Sequence, residues 1–125
     1  MSDRTNPCQT FPIDYTEVLE RIGGDRAFLE ELLKIYVEEC DKKLKVIKEA
    51  TARQDFPLIQ QLGHSLKGSS ANLSLIFLQK VSFFLEMAGK EKNIALARSA
   101  LAALEKEFDN LKDYLRQNPP SPVTP

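Results

Sequence analysis

His64 is the single histidine of the chain, and Lys67 and Gly68 stand three and four residues after it. In a helix those offsets put all three positions on one patch of surface. A neutral imidazole keeps a lone pair on one ring nitrogen and can act as nucleophile or base near neutral pH. A lysine one turn away supplies a compact positive charge for an anionic group. A glycine at that place weakens a helix by about 1 kcal/mol relative to alanine, so its use there points to a need for room. Nucleophile, charge and space are what reaction with an anionic group asks for, since such chemistry rests on positioning and electrostatics. The same residues also have ordinary readings: a surface histidine of no consequence, a solvated lysine, and a glycine at a helix crossing. Ser69 and Ser70 follow closely, but with no second histidine and no base arrangement they read as small residues that let helices approach, with hydroxyls bonded to backbone.

The element that must carry His64 is a helix opening at Asp55-Phe56-Pro57, where proline suits a first turn, and running to about Leu73. Its apolar positions Ile59, Leu62, Leu66 and Leu73, with Ser69 among them, share one face at 100° per residue. His64 points away from that face, with Gln60 and Ala71 as further neighbours on the outer side.

Around this helix the pattern predicts four others. Asp14 caps a short one with Tyr15, Val18, Leu19 and Ile22 inward, stopped at Gly23-Gly24. Asp25 caps a long one to about Ala52, with Leu29, Leu32, Leu33, Tyr36, Cys40, Leu44 and Ile47 inward. Its other side alternates in sign through Glu30, Glu31, Lys34, Glu38, Lys42 and Lys45, which reads as a solvated face, a docking strip being the rarer alternative. Ser74 is placed as cap of the helix after His64, with Leu78, Val81, Leu85 and Ala88 inward and Gly89 as its stop. Asn93 caps the last, whose seam is Ile94, Ala97, Leu101, Leu104, Phe108, Leu111 and Leu115. The expected fold is all-α, an up-and-down four-helix bundle with a short N-terminal cap helix. Residues 1–12 read as a flexible lead, 13–116 as the bundle domain and 117–125 as a proline-rich disordered tail.

Composition limits the partners. Lys and Arg number 17 against 18 Asp and Glu, so no global field recommends nucleic acid or an anionic membrane. No apolar run approaches the roughly 18 residues of a bilayer span, and the first ten residues lack the centre of a signal peptide. Cys8 and Cys40 have no metal-like spacing and read as reduced thiols, so a cytoplasmic monomer is expected. There is no glycine-rich nucleotide loop and no metal-ligand cluster, so neither cofactor nor ATP-dependent self-phosphorylation is expected.

The run His64-x-Leu66-Lys67-Gly68-Ser69-Ser70 resembles the signature of histidine phosphotransfer (HPt) domains, which carry a phosphoryl group on histidine between receiver domains. Gly24-Asp25 before the long helix, its spacing to His64, and Leu85-Glu86 late in the following helix extend the resemblance from about Asp14 to Leu115. Members commonly have glycine ten residues after the histidine, where this chain has Ser74. The resemblance implies that His64 is the phosphoacceptor, Lys67 its charge stabiliser and Gly68 its source of room. It also implies receiver domains of response regulators or hybrid kinases as partners, Mg2+ supplied by the receiver, and a stoichiometric carrier rather than an enzyme. Two alternatives stand beside it: the substrate domain of a chemotaxis-type histidine kinase, and a helical adaptor whose histidine is incidental.

One stripe is left over. Ile76, Phe83 and Met87 gather opposite the inward face of the helix after His64. They are expected either to be buried against another part of the chain or, with Gln60 and Ala71, to form a receiver-docking patch.

Overall fold

The computed structural model describes residues 11–120, and all regular structure among them is helical. Five helices follow in order: α1 Tyr15–Arg21, α2 Arg26–Arg53, α3 Phe56–Asn72, α4 Ile76–Glu91 and α5 Ile94–Gln117. The α2–α3, α3–α4 and α4–α5 connections are too short for anything but antiparallel neighbours, which makes α2 to α5 an up-and-down bundle.

The helix starts are those the side chains dictate. Asp14, Asp25, Asp55 and Asn93 each accept from the backbone N–H three residues on, at 3.0, 2.9, 3.3 and 3.0 Å. The Gly23-Gly24 stop holds both glycines at φ +83°. Each of the three turns inside the bundle passes through one left-handed residue that is not glycine: Gln54 at φ 57°, Ser74 at 56° and Lys92 at 55°.

Two expected boundaries are corrected. Ser74 does not cap α4; the N-cap position is Leu75, which makes no side-chain cap bond. Ser74 instead forms the turn, because Leu75 N–H donates back to the Ser70 carbonyl at 2.9 Å and closes the end of α3. Nor does Gly89 stop α4. It lies within the helix, buried against α3, and Lys92 supplies the left-handed cap.

Buried apolar side chains from α2 (Leu29, Leu33, Tyr36, Cys40, Ile47), α3 (Ile59, Leu66), α4 (Leu78, Leu85) and α5 (Leu104, Phe108, Leu111) make one core. Burial pushes the Cys40 thiol up to about 12, so it stays protonated and unreactive at neutral pH. Leu62 and Val81, expected inward, are half-buried, while Gly63, Ser70 and Ser82 are fully buried. Small residues mark the lines of closest helix approach.

The α1 helix closes one end. Arg21 Nη1 donates to the Ala71 and Asn72 carbonyls at 3.0 and 2.6 Å, satisfying the C-terminus of α3. The chain past Arg116 also belongs partly to this end, against the expectation of a disordered tail from 117. Gln117 completes α5, Tyr15 Oη donates to the Asn118 carbonyl at 2.6 Å, and Pro120 is buried with its carbonyl accepting from Arg26. Cys8, most of the N-terminal lead and residues 121–125 lie outside the described residues.

Ser74 combines a left-handed backbone, which costs a side chain about 1–2 kcal/mol, with a buried hydroxyl that has no hydrogen-bond partner. Ser74→Gly removes both, against a smaller loss from the more flexible unfolded chain. We expect it to stabilise the protein by about 1 kcal/mol, seen as a melting temperature higher by several degrees. An unchanged or lower melting temperature would show that the turn is not strained.

Candidate functional site

His64 lies mid-way along α3 with its side chain 71% exposed. Its outward position follows from the burial of Ile59, Gly63, Leu66 and Ser70 on the other side of the same helix. The ring is nonetheless held. Nδ1 is 2.9 Å from Oε2 of Glu86, a residue of α4 that is mostly covered. A carboxylate can only accept, so the proton is assigned to Nδ1 and the lone pair to Nε2. Nδ1 being engaged, Nε2 is the nitrogen open to reaction.

Glu86 serves a second partner. Lys67 Nζ is 2.8 Å from Oε1, so one carboxylate lies between the imidazole and the ammonium. These contacts hold the Glu86 carboxyl below its usual value, the Lys67 ammonium first and the His64 N–H after it, against the opposing effect of burial. Lys67 also lies over the Phe83 ring, 5.6 Å from its centroid.

The approach that brings Glu86 under His64 depends on glycine. A Cβ at Gly63 would stand 2.4 Å from the Glu86 backbone nitrogen, and one at Gly89 2.3 Å from that of Gln60. Neither distance is possible between real atoms, so α3 and α4 pack backbone to backbone at two points one helical turn apart. Gly68 is different. Nothing lies within 4 Å of its Cβ position, which excludes the helix-crossing reading and leaves open space beside His64.

Of the remaining residues singled out in the sequence, Gln60 and Ala71 are half-buried on the His64 side of α3. On α4, Phe83 is 42% exposed and Ile76 and Met87 are half-buried, so the stripe is not enclosed by the other described residues. Lys67, Ile76, Gln79, Lys80 and Phe83 line a shallow recess of about 320 Å³. Phe84, which the period did not single out, is 45% exposed and stacks obliquely on Phe83 at 5.7 Å. Ser70 is bonded in the core to Tyr36 Oη at 2.8 Å, and Ser69 Oγ donates to α3 carbonyls. Neither serine is placed as a nucleophile.

Glu86 is the member of this cluster that sequence reasoning leaves out of the site, although Leu85-Glu86 belongs to the family resemblance. The available signal was an acidic residue set among the small and apolar positions Ser82, Leu85 and Gly89 that this helix buries.

Fold and site together give an antiparallel helical bundle with one exposed histidine held by a carboxylate of the next helix. The family model of the Hpt domain matches residues 31–114, and the chain belongs to that family of phosphotransfer-type domains of two-component signalling. Neither a curated protein nor a solved structure matches the chain.

The two glycines near His64 should respond oppositely to a methyl group. Gly63→Ala forces α3 and α4 apart and should cost about 1–3 kcal/mol or more. Gly68→Ala enters open space and should stabilise the helix by up to about 1 kcal/mol. Chemical denaturation of both variants checks this; similar midpoints would contradict the assigned packing.

Proposed function

We propose that His64 accepts a phosphoryl group from the aspartyl phosphate of one receiver domain and yields it to the aspartate of another. The observation that carries this reading is the Glu86 bond to Nδ1, which engages that nitrogen and leaves Nε2 as the one free to attack on an exposed side chain. Nε2 attacks phosphorus as the bond from phosphorus to the aspartyl oxygen breaks. The aspartate leaves as a carboxylate, and no proton has to be removed from the histidine. The positive charge that the phosphorylated ring acquires is met by Glu86, and Lys67 is near enough to turn from Glu86 to the phosphoryl oxygens.

Gly68 leaves room for the tetrahedral group and for the approaching receiver. Gln60, Ala71, Ile76, Phe83 and Met87, with Phe84, offer the docking surface around it. Glu86, the carboxylate at the site, is already shared by Lys67 and His64, so we assign the Mg2+ that the reaction requires to the receiver's side.

Incubation with a panel of phosphorylated receivers tests the proposal. The chain should become labelled at one site, with the acid lability and alkali stability of a phosphoramidate, and His64→Gln should abolish labelling. Glu86→Gln should slow transfer without preventing it, because the amide no longer enforces the Nδ1 proton or neutralises the ring. Labelling that persists in His64→Gln, or that requires ATP and a kinase domain in place of any receiver, would overturn the reading.

The docking surface has its own test. Phe83→Ala should weaken receiver binding by more than about fivefold, as expected for a buried interface anchor, while the melting temperature changes little. A large loss of stability with unchanged affinity would place Phe83 in the core instead.

A further inference from the structure

Lys67 is held from two sides. Its ammonium is 2.8 Å from Glu86 Oε1 and lies over the Phe83 ring, 5.6 Å from the centroid. Phe83 precedes Glu86 by three residues on α4, so ring and carboxylate are neighbours on one side of that helix and flank the same cation. The ring is braced in turn by Phe84, which stacks obliquely on it at 5.7 Å. Ile76, Gln79 and Lys80 complete the recess that Lys67 and Phe83 line. Lys80 stands one turn before Phe83, so displacement of the Lys67 ammonium toward that end meets like charge.

The two contacts hold the ammonium by different physics. Glu86 attracts it as one full charge attracts another, and that attraction also opposes any move of Lys67 toward an incoming anion. The Phe83 ring attracts it through its quadrupole and carries no net charge. It therefore restrains the flexible lysine stem near α4 without competing for the ammonium as a carboxylate does. An ammonium has three N–H donors, and Oε1 needs only one of them. Docking calls for apolar area anywhere on the patch; it does not account for a ring set against the one lysine beside His64.

We propose that Phe83 is a positioning residue for transfer, its ring holding the Lys67 ammonium where phosphoryl oxygens arrive. The proposal rests on the phosphoryl transfer assigned above to His64. There Nε2 bonds to phosphorus as the bond from phosphorus to the aspartyl oxygen breaks, and the aspartate departs as a carboxylate. The phosphoryl oxygens remain anionic throughout, and Lys67 meets their charge from a place it already occupies. This role is separable from docking. An anchor changes how tightly the receiver binds, whereas a positioning residue changes the rate inside the complex.

Single-turnover transfer to the full chain from a phosphorylated receiver, followed over a range of receiver concentrations, reads the two apart. The half-saturating concentration reports docking and the limiting rate reports transfer in the complex. Phe83→Leu keeps an apolar side chain but removes the aromatic face, and should lower the limiting rate about two- to fivefold. Phe83→Tyr should restore the wild-type limiting rate. In a Lys67→Gln background, Phe83→Leu should leave the limiting rate where Lys67→Gln alone puts it, because the ring acts through the ammonium. A wild-type limiting rate in Phe83→Leu overturns the proposal, as does a Phe83→Tyr variant equally slow, or a loss of the same size with and without Lys67. If the wild type is labelled at His64 and only the Phe83 variants depart from expectation, phosphoryl transfer stands and the positioning role falls. A wild type that no receiver labels at His64 overturns both.

Discussion

Two helices whose facing positions carry side chains settle with their axes about 8–10 Å apart. At Gly63 and Gly89 no side chain intervenes, and the α3 and α4 backbones meet at Glu86 and Gln60 respectively. Two such points on antiparallel helices determine both separation and register, since sliding either helix would drive a Cβ of a neighbouring residue into the opposite backbone. With Gly63 level with Glu86, the residue after Gly63 and the residue one turn later, His64 and Lys67, both come within reach of the same carboxylate. The geometry of the His64 side chain is thus set from beneath, by the glycines that let the two backbones meet.

That carboxylate would be costly to cover alone, because burial penalises the charged form. Lys67 offsets the charge, the His64 N–H fills the other oxygen, and the pairing lowers the Glu86 carboxyl below its usual value. Each member therefore constrains the others. The imidazole has one orientation and one tautomer because Glu86 is ionised, and Glu86 stays ionised because Lys67 is beside it. Lys67 in turn is kept over Phe83, on the surface where a partner would arrive. Groups coupled in this way do not contribute additively, so the loss of Glu86 acts through Lys67 as well as through the ring.

Much of this was legible in the sequence, and the part that was not has a common cause. Asp14, Asp25, Asp55 and Asn93 act within three residues of themselves, and the apolar periods of α2 and α5 reflect burial along one helix. His64 was recognisable as outward for the same local reason. The functions of Gly63, Gly89 and Glu86 depend on the distance between two helices, which no period within either one encodes. Gly89 was read as a stop because a late glycine usually is one, and here the helix continues to Glu91. Ser74 could be read as a cap because serine favours that position, whereas the turn placed it at positive φ. The end of the chain misled through composition: prolines signal an absence of helix, yet Pro120 is buried by contacts with α1 and α2 that lie far away in sequence.

Helix length decides where the protein has surface to spare. The α3 helix has 17 residues against the 28 of α2, and the Tyr36 bond to Ser70 sets the end of α3 level with the middle of the first half of α2. The turns of α2 before Tyr36 therefore run past the end of α3, where α1, the last turns of α5 and Pro119–Pro120 accompany them. Leu32 and Ile35, with Ile22, Cys40 and Leu66, line a groove of about 410 Å³ at this step. His64 is not among its lining residues. It faces the other flank of α3, where Gly68 is open and α4 presents Phe83. A bundle of unequal helices thus separates two kinds of surface: an exposed imidazole held by a carboxylate beside the tightest helix pair, and an apolar step where the longest helix outruns its neighbour. Because different helix contacts create them, a substitution that reshapes one surface can leave the geometry of the other intact.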